Sequence, residues 1–153
     1  MRTLFQAPDG LYGFLDEQGN AVIAPIYAGA RSFSEGVAQV ESVENGIRKT
    51  GFIDEQGNLV IPMAYNYAMS FQDGLAPVCI GASWVGGKFG CIDHQGREVI
   101  PIRYDYLEPA GVRCYAVKEN GSWSLIDASC TRISPLFPTQ KALQEYLNNH
   151  HTL

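Results

Sequence analysis

Gly51-Phe52-Ile53-Asp54-Glu55-Gln56-Gly57-Asn58 has a near-twin upstream, Gly13-Phe14-Leu15-Asp16-Glu17-Gln18-Gly19-Asn20, and another downstream, Gly90-Cys91-Ile92-Asp93-His94-Gln95-Gly96-Arg97. The spacing from Gly13 to Gly51 is repeated almost unchanged from Gly51 to Gly90. A fourth copy, Ser124-Leu125-Ile126-Asp127-Ala128-Ser129-Cys130-Thr131, follows at a slightly shorter interval and has lost both glycines. The first three copies run on into an apolar stretch holding a proline and a tyrosine: Val22-Ile23-Ala24-Pro25-Ile26-Tyr27, Val60-Ile61-Pro62-Met63-Ala64-Tyr65 and Val99-Ile100-Pro101-Ile102-Arg103-Tyr104. A second shared block reads Phe33-Ser34-Glu35-Gly36-Val37-Ala38-Gln39-Val40, then Phe71-Gln72-Asp73-Gly74-Leu75-Ala76-Pro77-Val78, and is blurred over 110–117.

A fixed period of this length marks units that cannot bury their apolar faces alone and stack on their neighbours. Within a unit, Asp-x-x-Gly suits a type I turn followed by a left-handed glycine, a common hairpin connection. Asp16, Gly19, Asp54, Gly57, Asp93 and Gly96 are therefore assigned structural turn roles, with Phe52-Ile53 and Leu59-Val60-Ile61 paired across one such turn. The proline after the second strand cannot donate to a ladder, so it ends the strand or lies on an edge. Val37 to Val40 and Leu75 to Val78 supply a third strand after a Gly-containing turn.

The expected fold is all-β: one domain over 1–153, an array of short antiparallel strands, about three per unit, in repeats at about 9–47, 48–86, 87–120 and 121–137. An open twisted stack or solenoid is the main form and a partial propeller the alternative, since four strands per unit would favour closure. Ala142, Leu143, Tyr146 and Leu147 have helical spacing after Thr139, which predicts a C-terminal helix over about 139–150 capping the last repeat.

Composition bounds the functional classes. With 153 residues, 46% hydrophobic and only 18% charged, the chain can form a core without metal or disulfide staples. Its 16 Gly and 8 Pro favour a turn-rich architecture over a helical bundle. The N-terminus lacks the pattern of a signal peptide, and no apolar run reaches the roughly 18 residues of a membrane span, so a cytoplasmic protein without membrane attachment is expected. Cys79, Cys91, Cys114 and Cys130 form no Cys-x-x-Cys pair, so they read as buried reduced thiols, with no metal site and no cofactor. In that compartment the Asn120-Gly121-Ser122 sequon carries no meaning.

The quoted residues resemble the WG-containing repeat family. Its aromatic-Gly pair is matched by Tyr12-Gly13 and Phe89-Gly90, with Trp123-Ser124 in the fourth copy and a departure at Thr50-Gly51. The resemblance covers about residues 9–136. It implies a β-rich array, found mostly in bacterial proteins, that serves as a module for protein interaction, and it carries no catalytic residue set.

The residues themselves nominate no reaction. Asp16, Asp54, Asp93 and Asp127 recur once per unit at the first turn position, where the side chain accepts hydrogen bonds from turn N–H groups. The loop from Gly81 to Gly90 fails as a phosphate cradle, because Phe89 stands where Ser or Thr must meet magnesium. Ser83, Ser122 and Ser124 have only His94 as a mid-chain base, and His94 reads as a solvated turn residue in the place of Glu17 and Glu55. The chain is thus expected not to be an enzyme, a hydrolase being the least favoured reading.

A sequence pI near 5.1 with scattered basic residues argues against nucleic acid. All the net charge lies in the first half: residues 1–76 hold nine acids and four bases, while 77–153 hold seven of each. Phe33 and Phe71 read as buried, whereas Trp84, Tyr65-Asn66-Tyr67 and Tyr104-Asp105-Tyr106 fall beside loops and suit a binding face. The expected function is a non-catalytic protein-binding module, of the immunity or inhibitor type, that occludes a basic toxin or effector through Glu35, Glu41, Glu44, Asp73 and Trp84. A regulatory or envelope-associated scaffold is the alternative, and a monomer or weak homodimer the expected state.

Overall fold

The computed structural model describes residues 1–81 and 86–150. They form four small antiparallel sheets and one helix. The first sheet holds β1 (Thr3–Gln6), β2 (Tyr12–Leu15) and β3 (Ala21–Tyr27). The second holds β4 (Gly29–Ala30), β5 (Val37–Glu44), β6 (Ile47–Asp54) and β7 (Leu59–Tyr65). The third holds β8 (Tyr67–Ala68), β9 (Ala76–Ile80), β10 (Lys88–Ile92) and β11 (Glu98–Tyr104), and the fourth β12 (Tyr106–Gly111), β13 (Cys114–Glu119) and β14 (Ser122–Asp127). Among the described residues no helix is long and apolar enough to cross a membrane.

The central sheets have four strands rather than the three expected. The extra strand arises because β3, β7 and β11 do not end at the tyrosine: after a single residue, Ala28, Asn66 or Asp105, the chain enters the next sheet as β4, β8 or β12. At each bend the backbone N–H donates to a carbonyl of the sheet being entered, of Glu41, Cys79 and Lys118 respectively, each at 2.9 Å. A strand can thus change sheets at a corner without leaving its polar backbone unpaired. The sheets are consequently out of phase with the sequence copies. The Val37–Glu44 strand of one copy pairs with the Gly-Phe-Ile-Asp strand of the next, Ala38 opposite Ile53, so sheet boundaries fall inside the expected repeats of 9–47 and 48–86.

Two kinds of turn hold this register. At Asp54 the carboxylate Oδ1 accepts the N–H groups of Gln56 (3.0 Å) and Asn58 (2.8 Å), and Gly57 takes a φ of 86°. Asp16, Asp93 and Asp127 make the same pair of bonds, so the turn assignment describes all four copies. Asn45-Gly46 and Asn120-Gly121, both residues of each pair at positive φ, close the β5–β6 and β13–β14 hairpins as two-residue turns.

The repeated aromatic-Gly pair and the Ile-Pro stretch turn out to be one device. The edge strand bulges between its pairings to β6 at Thr50 and Phe52, which carries its backbone over Gly51. A Cβ on Gly51 would lie 2.6 Å from the Ile61 carbonyl, and on Gly13 and Gly90 2.4 Å from those of Ile23 and Ile100. Pro25, Pro62 and Pro101 sit within these bulged edge strands, where no ladder donor is needed. In the fourth copy the edge of β14 away from β13 carries isolated bridges in place of a bulged strand among the described residues, Ile126 to Arg132 and Trp123 to Phe137, and Ser124 takes the glycine's place.

The sheets pack in chain order. Phe14 and Ile23 of the first meet Ala38, Val40 and Ile53 of the second. Phe52 and Ile61 meet Ala76, Val78 and Ile92 of the third. Cys79, Phe89 and Cys91 meet Tyr115, Val117 and Ile126 of the fourth. In the third sheet the central strands β9 and β10 are buried on both faces, so they read as nearly continuous apolar runs. The helix α1 (Gln140–Asn149) starts where Thr139 Oγ1 accepts the Ala142 N–H at 3.1 Å. It lays Leu143 on Cys114, Ala116 and Leu125, the face where a fifth sheet would pack.

Candidate functional site

The carboxylates singled out from the sequence do not form one face. Glu35 and Asp73 lie in equivalent turns ahead of β5 and β9, with φ of 54° and 56°. Glu35 is engaged within the chain: Oε1 accepts the Gly74 N–H at 3.0 Å and meets His94 Nε2 at 3.0 Å. The His94 hydrogen bond is the first cause that holds the Glu35 carboxyl below its usual range, with burial opposing it. Glu41 pairs with Arg48, also within the chain. Asp73 is exposed, and its carbonyl accepts from Arg113 at 2.8 Å. Glu44 lies at the exposed β5–β6 hairpin tip, the length of β5 away from Glu35, roughly 30 Å at strand spacing. Trp84 lies outside the described residues.

His94 differs from its expected role as a solvated turn residue. Its ring stacks on Phe71 at 4.1 Å, interplanar 24°, and its Nε2 reaches across to Glu35, so it ties the third sheet to the second. Its sister residues also anchor the chain: Glu17 binds the N-terminal ammonium at 3.0 Å, and the Glu55 carbonyl accepts from Arg2 at 2.8 Å. The turn position that looks free in one unit faces a neighbouring segment in the array.

Other reactive side chains are held in quiet states. Cys79, Cys91 and Cys114 are buried and Cys130 half-buried, all as free thiols. Burial pushes the Cys91 thiol up to about 12, far from thiolate character at neutral pH. Tyr104, whose hydroxyl lies 2.8 Å from Cys130 Sγ, is likewise pushed up to about 12, by burial first.

The aromatic-Gly positions and the residues just after the sheet corners form a second arrangement. Phe89 meets Tyr106 edge-on at 5.3 Å, and Tyr106 meets Trp123 at 5.8 Å. Toward the second sheet this line breaks, because Thr50 replaces the aromatic and Gly29 replaces the tyrosine. The Glu41–Arg48 pair occupies the space there: a Cβ on Gly29 would lie 2.5 Å from Glu41 Oε2. At the other end, Tyr106 and Trp123 border an open groove of about 580 Å³ with Asp105, Lys118, Gly86, Gly87 and Gln140. Lys118 Nζ stands 6.0 Å from the Trp123 ring centroid, and Asp105 is held ionised below its usual range, chiefly by Lys88. Tyr106 donates its hydroxyl to Glu108 at 3.0 Å, which fixes the ring.

The Tyr104-Asp105-Tyr106 cluster was legible as a candidate, whereas Trp123 and Lys118 were not. The signal that leads to Trp123 is its place in the aromatic-Gly column, equivalent to Phe89.

No curated protein and no solved structure matches this chain. The family model for the WG containing repeat matches residues 12–45, 51–84 and 89–123, together about two thirds of the sequence. With three matches in tandem, each running from the glycine-bearing strand through the Asp turn and bulged edge strand into the next sheet, the chain belongs to the WG-containing repeat family.

Proposed function

We propose that this repeat module binds a protein partner and performs no catalysis, using the Tyr106–Trp123 groove as its contact surface. The observation that carries the reading is the half-buried aromatic pair set between Lys118 and Asp105. Fixed aromatic rings with a charged rim bury much area at low entropic cost, the usual make-up of an interface hot spot. In its narrower form the module is an immunity-type inhibitor that occludes a basic toxin or effector. The net charge of −5 carried by residues 1–76 supports that form, with Glu44 and Asp73 as exposed carboxylates for steering.

The test is affinity capture with tagged full-length chain beside Tyr106→Ala and Trp123→Ala, washed at low salt and at about 0.5 M, where rim charges are screened. A single stoichiometric basic protein retained at high salt by the wild type and lost from both variants is the expected result. Equal capture by the variants would overturn the groove, and a set of weak partners released by salt would favour a scaffold.

A further inference from the structure

The fourth copy departs from the repeat at several points, and the departures meet in one groove. Ser124 stands where Gly13, Gly51 and Gly90 stand, and Cys130 where the turn glycines Gly19, Gly57 and Gly96 do. Register identifies a third departure: Ile126 bridges Arg132 as Leu15 pairs with Ala21, Ile53 with Leu59 and Ile92 with Glu98. The third copy adds Arg103 just before its tyrosine, at the position of Ile26 and Ala64. All four residues line an open groove of about 440 Å³, together with Tyr104 and Ser122. Loss of repeat character in a terminal unit does not account for Arg103, which belongs to the copy before it.

The groove suits a polar, negatively charged guest. Ser122, Ser124 and Ile126 alternate along β14, so their side chains share the face that lines it. Ser124 is 7% exposed, and its hydroxyl has no hydrogen-bond partner among the described residues, so its bonding capacity is turned into the groove. Arg103 Nε lies 3.2 Å from Glu119 Oε2, whereas Arg132 pairs with no carboxylate among the described residues. Two guanidinium groups against one carboxylate leave net positive charge at the mouth.

The groove also holds the one thiol of the chain that is not buried: Cys79, Cys91 and Cys114 are enclosed, and Cys130 is half-buried. Cys130 has a φ of 64°, a conformation that glycine takes in the sister turns at less cost, so turn geometry gives no reason for a side chain there. Arg103 Nη2 donates to the Tyr104 hydroxyl oxygen at 3.1 Å, which leaves the Tyr104 proton for Cys130 Sγ, 2.8 Å away. Burial, first, keeps that proton on Tyr104 up to about 12, and a hydrogen bond donated to sulfur favours the thiolate.

We propose that Cys130 is a thiol–disulfide exchange site for a small disulfide bearing carboxylates, which Arg132 and Arg103 hold and the Ser124 hydroxyl orients. The Cys130 thiolate attacks one sulfur of the guest, the guest's S–S bond breaks, and a mixed disulfide forms on Cys130 while the other half leaves as a thiolate. Cys130 is oxidised, the departing half is reduced, and the Cys130 proton passes to solvent. Attack by a free thiol on the mixed disulfide reverses the step. The site shares no lining residue with the Tyr106–Trp123 groove, so the inference does not rest on protein binding there.

The probe is dithiobis(nitrobenzoate), a disulfide with two carboxylates, compared with uncharged dithiodipyridine. Each is mixed with the full chain while the released thiol is followed by absorbance. The dianion should modify a single residue, located at Cys130 by mass spectrometry and absent from Cys130→Ser, with a rate that saturates below about 1 mM reagent. Arg132→Gln should slow the dianion about tenfold and the uncharged reagent less than about twofold, at an unchanged urea midpoint. Ser124→Ala should raise the half-saturating concentration of the dianion about threefold. A rate linear in the dianion, equal slowing of both reagents by Arg132→Gln, an unchanged half-saturation in Ser124→Ala, or first modification at Cys79, Cys91 or Cys114 would overturn the proposal.

Discussion

The first and last sheets are covered differently. The last sheet presents Cys114, Ala116 and Leu125 toward the position of a fifth sheet, and α1 covers them with Leu143, which is 1% exposed. The first sheet presents Phe5 and Leu15 toward the position of a preceding sheet, and among the described residues both stay half-buried. A WG-type sheet therefore needs cover for two faces and an edge. A short amphipathic helix meets the first need but not the second, because a helix supplies no outward-facing backbone groups to pair with a strand.

This difference can be broken by substitution. Leu143→Ala should cost about 3 kcal/mol in urea unfolding, because it empties a fully enclosed site, whereas Phe5→Ala at the open end should cost about 1 kcal/mol or less. Equal losses would mean that the N-terminal face is as closed as the C-terminal one. Gly51→Ala should cost about 2 kcal/mol, since its Cβ would meet the Ile61 carbonyl at 2.6 Å. In the last sheet, where the bulged strand is absent, Ser124→Ala should shift the midpoint by less than about 1 kcal/mol.

Smaller effects test the ties between inner sheets. His94→Ala removes the stack on Phe71 and the contact with Glu35, and should cost about 1 kcal/mol at neutral pH; an unchanged midpoint would return His94 to the solvent. Glu35 supplies the pH dependence. Its carboxyl is depressed in the fold by the His94 hydrogen bond first and also by the Gly74 and Asp73 N–H groups. Its contribution is therefore present above the ordinary value of 4.5 and is lost as pH falls through the depressed one. Glu35→Gln should flatten the acid limb of a urea-midpoint profile, and an identical limb would remove Glu35 from the array's acid response. Glu44→Lys, at an exposed tip, should change stability by no more than about 0.5 kcal/mol.

The period, the Asp turns and the capping helix were legible because each depends on local chemistry: a carboxylate reaching turn N–H groups, a glycine at positive φ, apolar residues at helical spacing. The fourth strand was not legible, because Gly29-Ala30 and Tyr67-Ala68 are too short to carry an alternating pattern and exist only through pairing with the next sheet. The phase of the sheets was within reach. Asn45-Gly46 and Asn120-Gly121 are strong hairpin signals, and they fall between sequence copies rather than within one. The aromatic groove required knowing that Tyr106 at the start of β12 and Trp123 near the start of β14, on either side of β13, become neighbours across it. The scattering of Glu35, Glu41, Glu44 and Asp73 follows from strand length, which charge counting along a sequence ignores.

The one-residue corners at Ala28, Asn66 and Asp105 have an evolutionary consequence. Each sheet after the first borrows its first strand from the tail of the previous copy, so the repeat has no privileged cut point. Duplicating any stretch one period long, wherever it begins, regenerates one complete corner and one complete sheet. An insertion of a single residue at a corner would instead shift the side chains of the short strand that follows it to the opposite face, until the next turn resets the register. Arrays built this way should differ from one another by whole periods, with the variation between relatives confined to the hairpin tips.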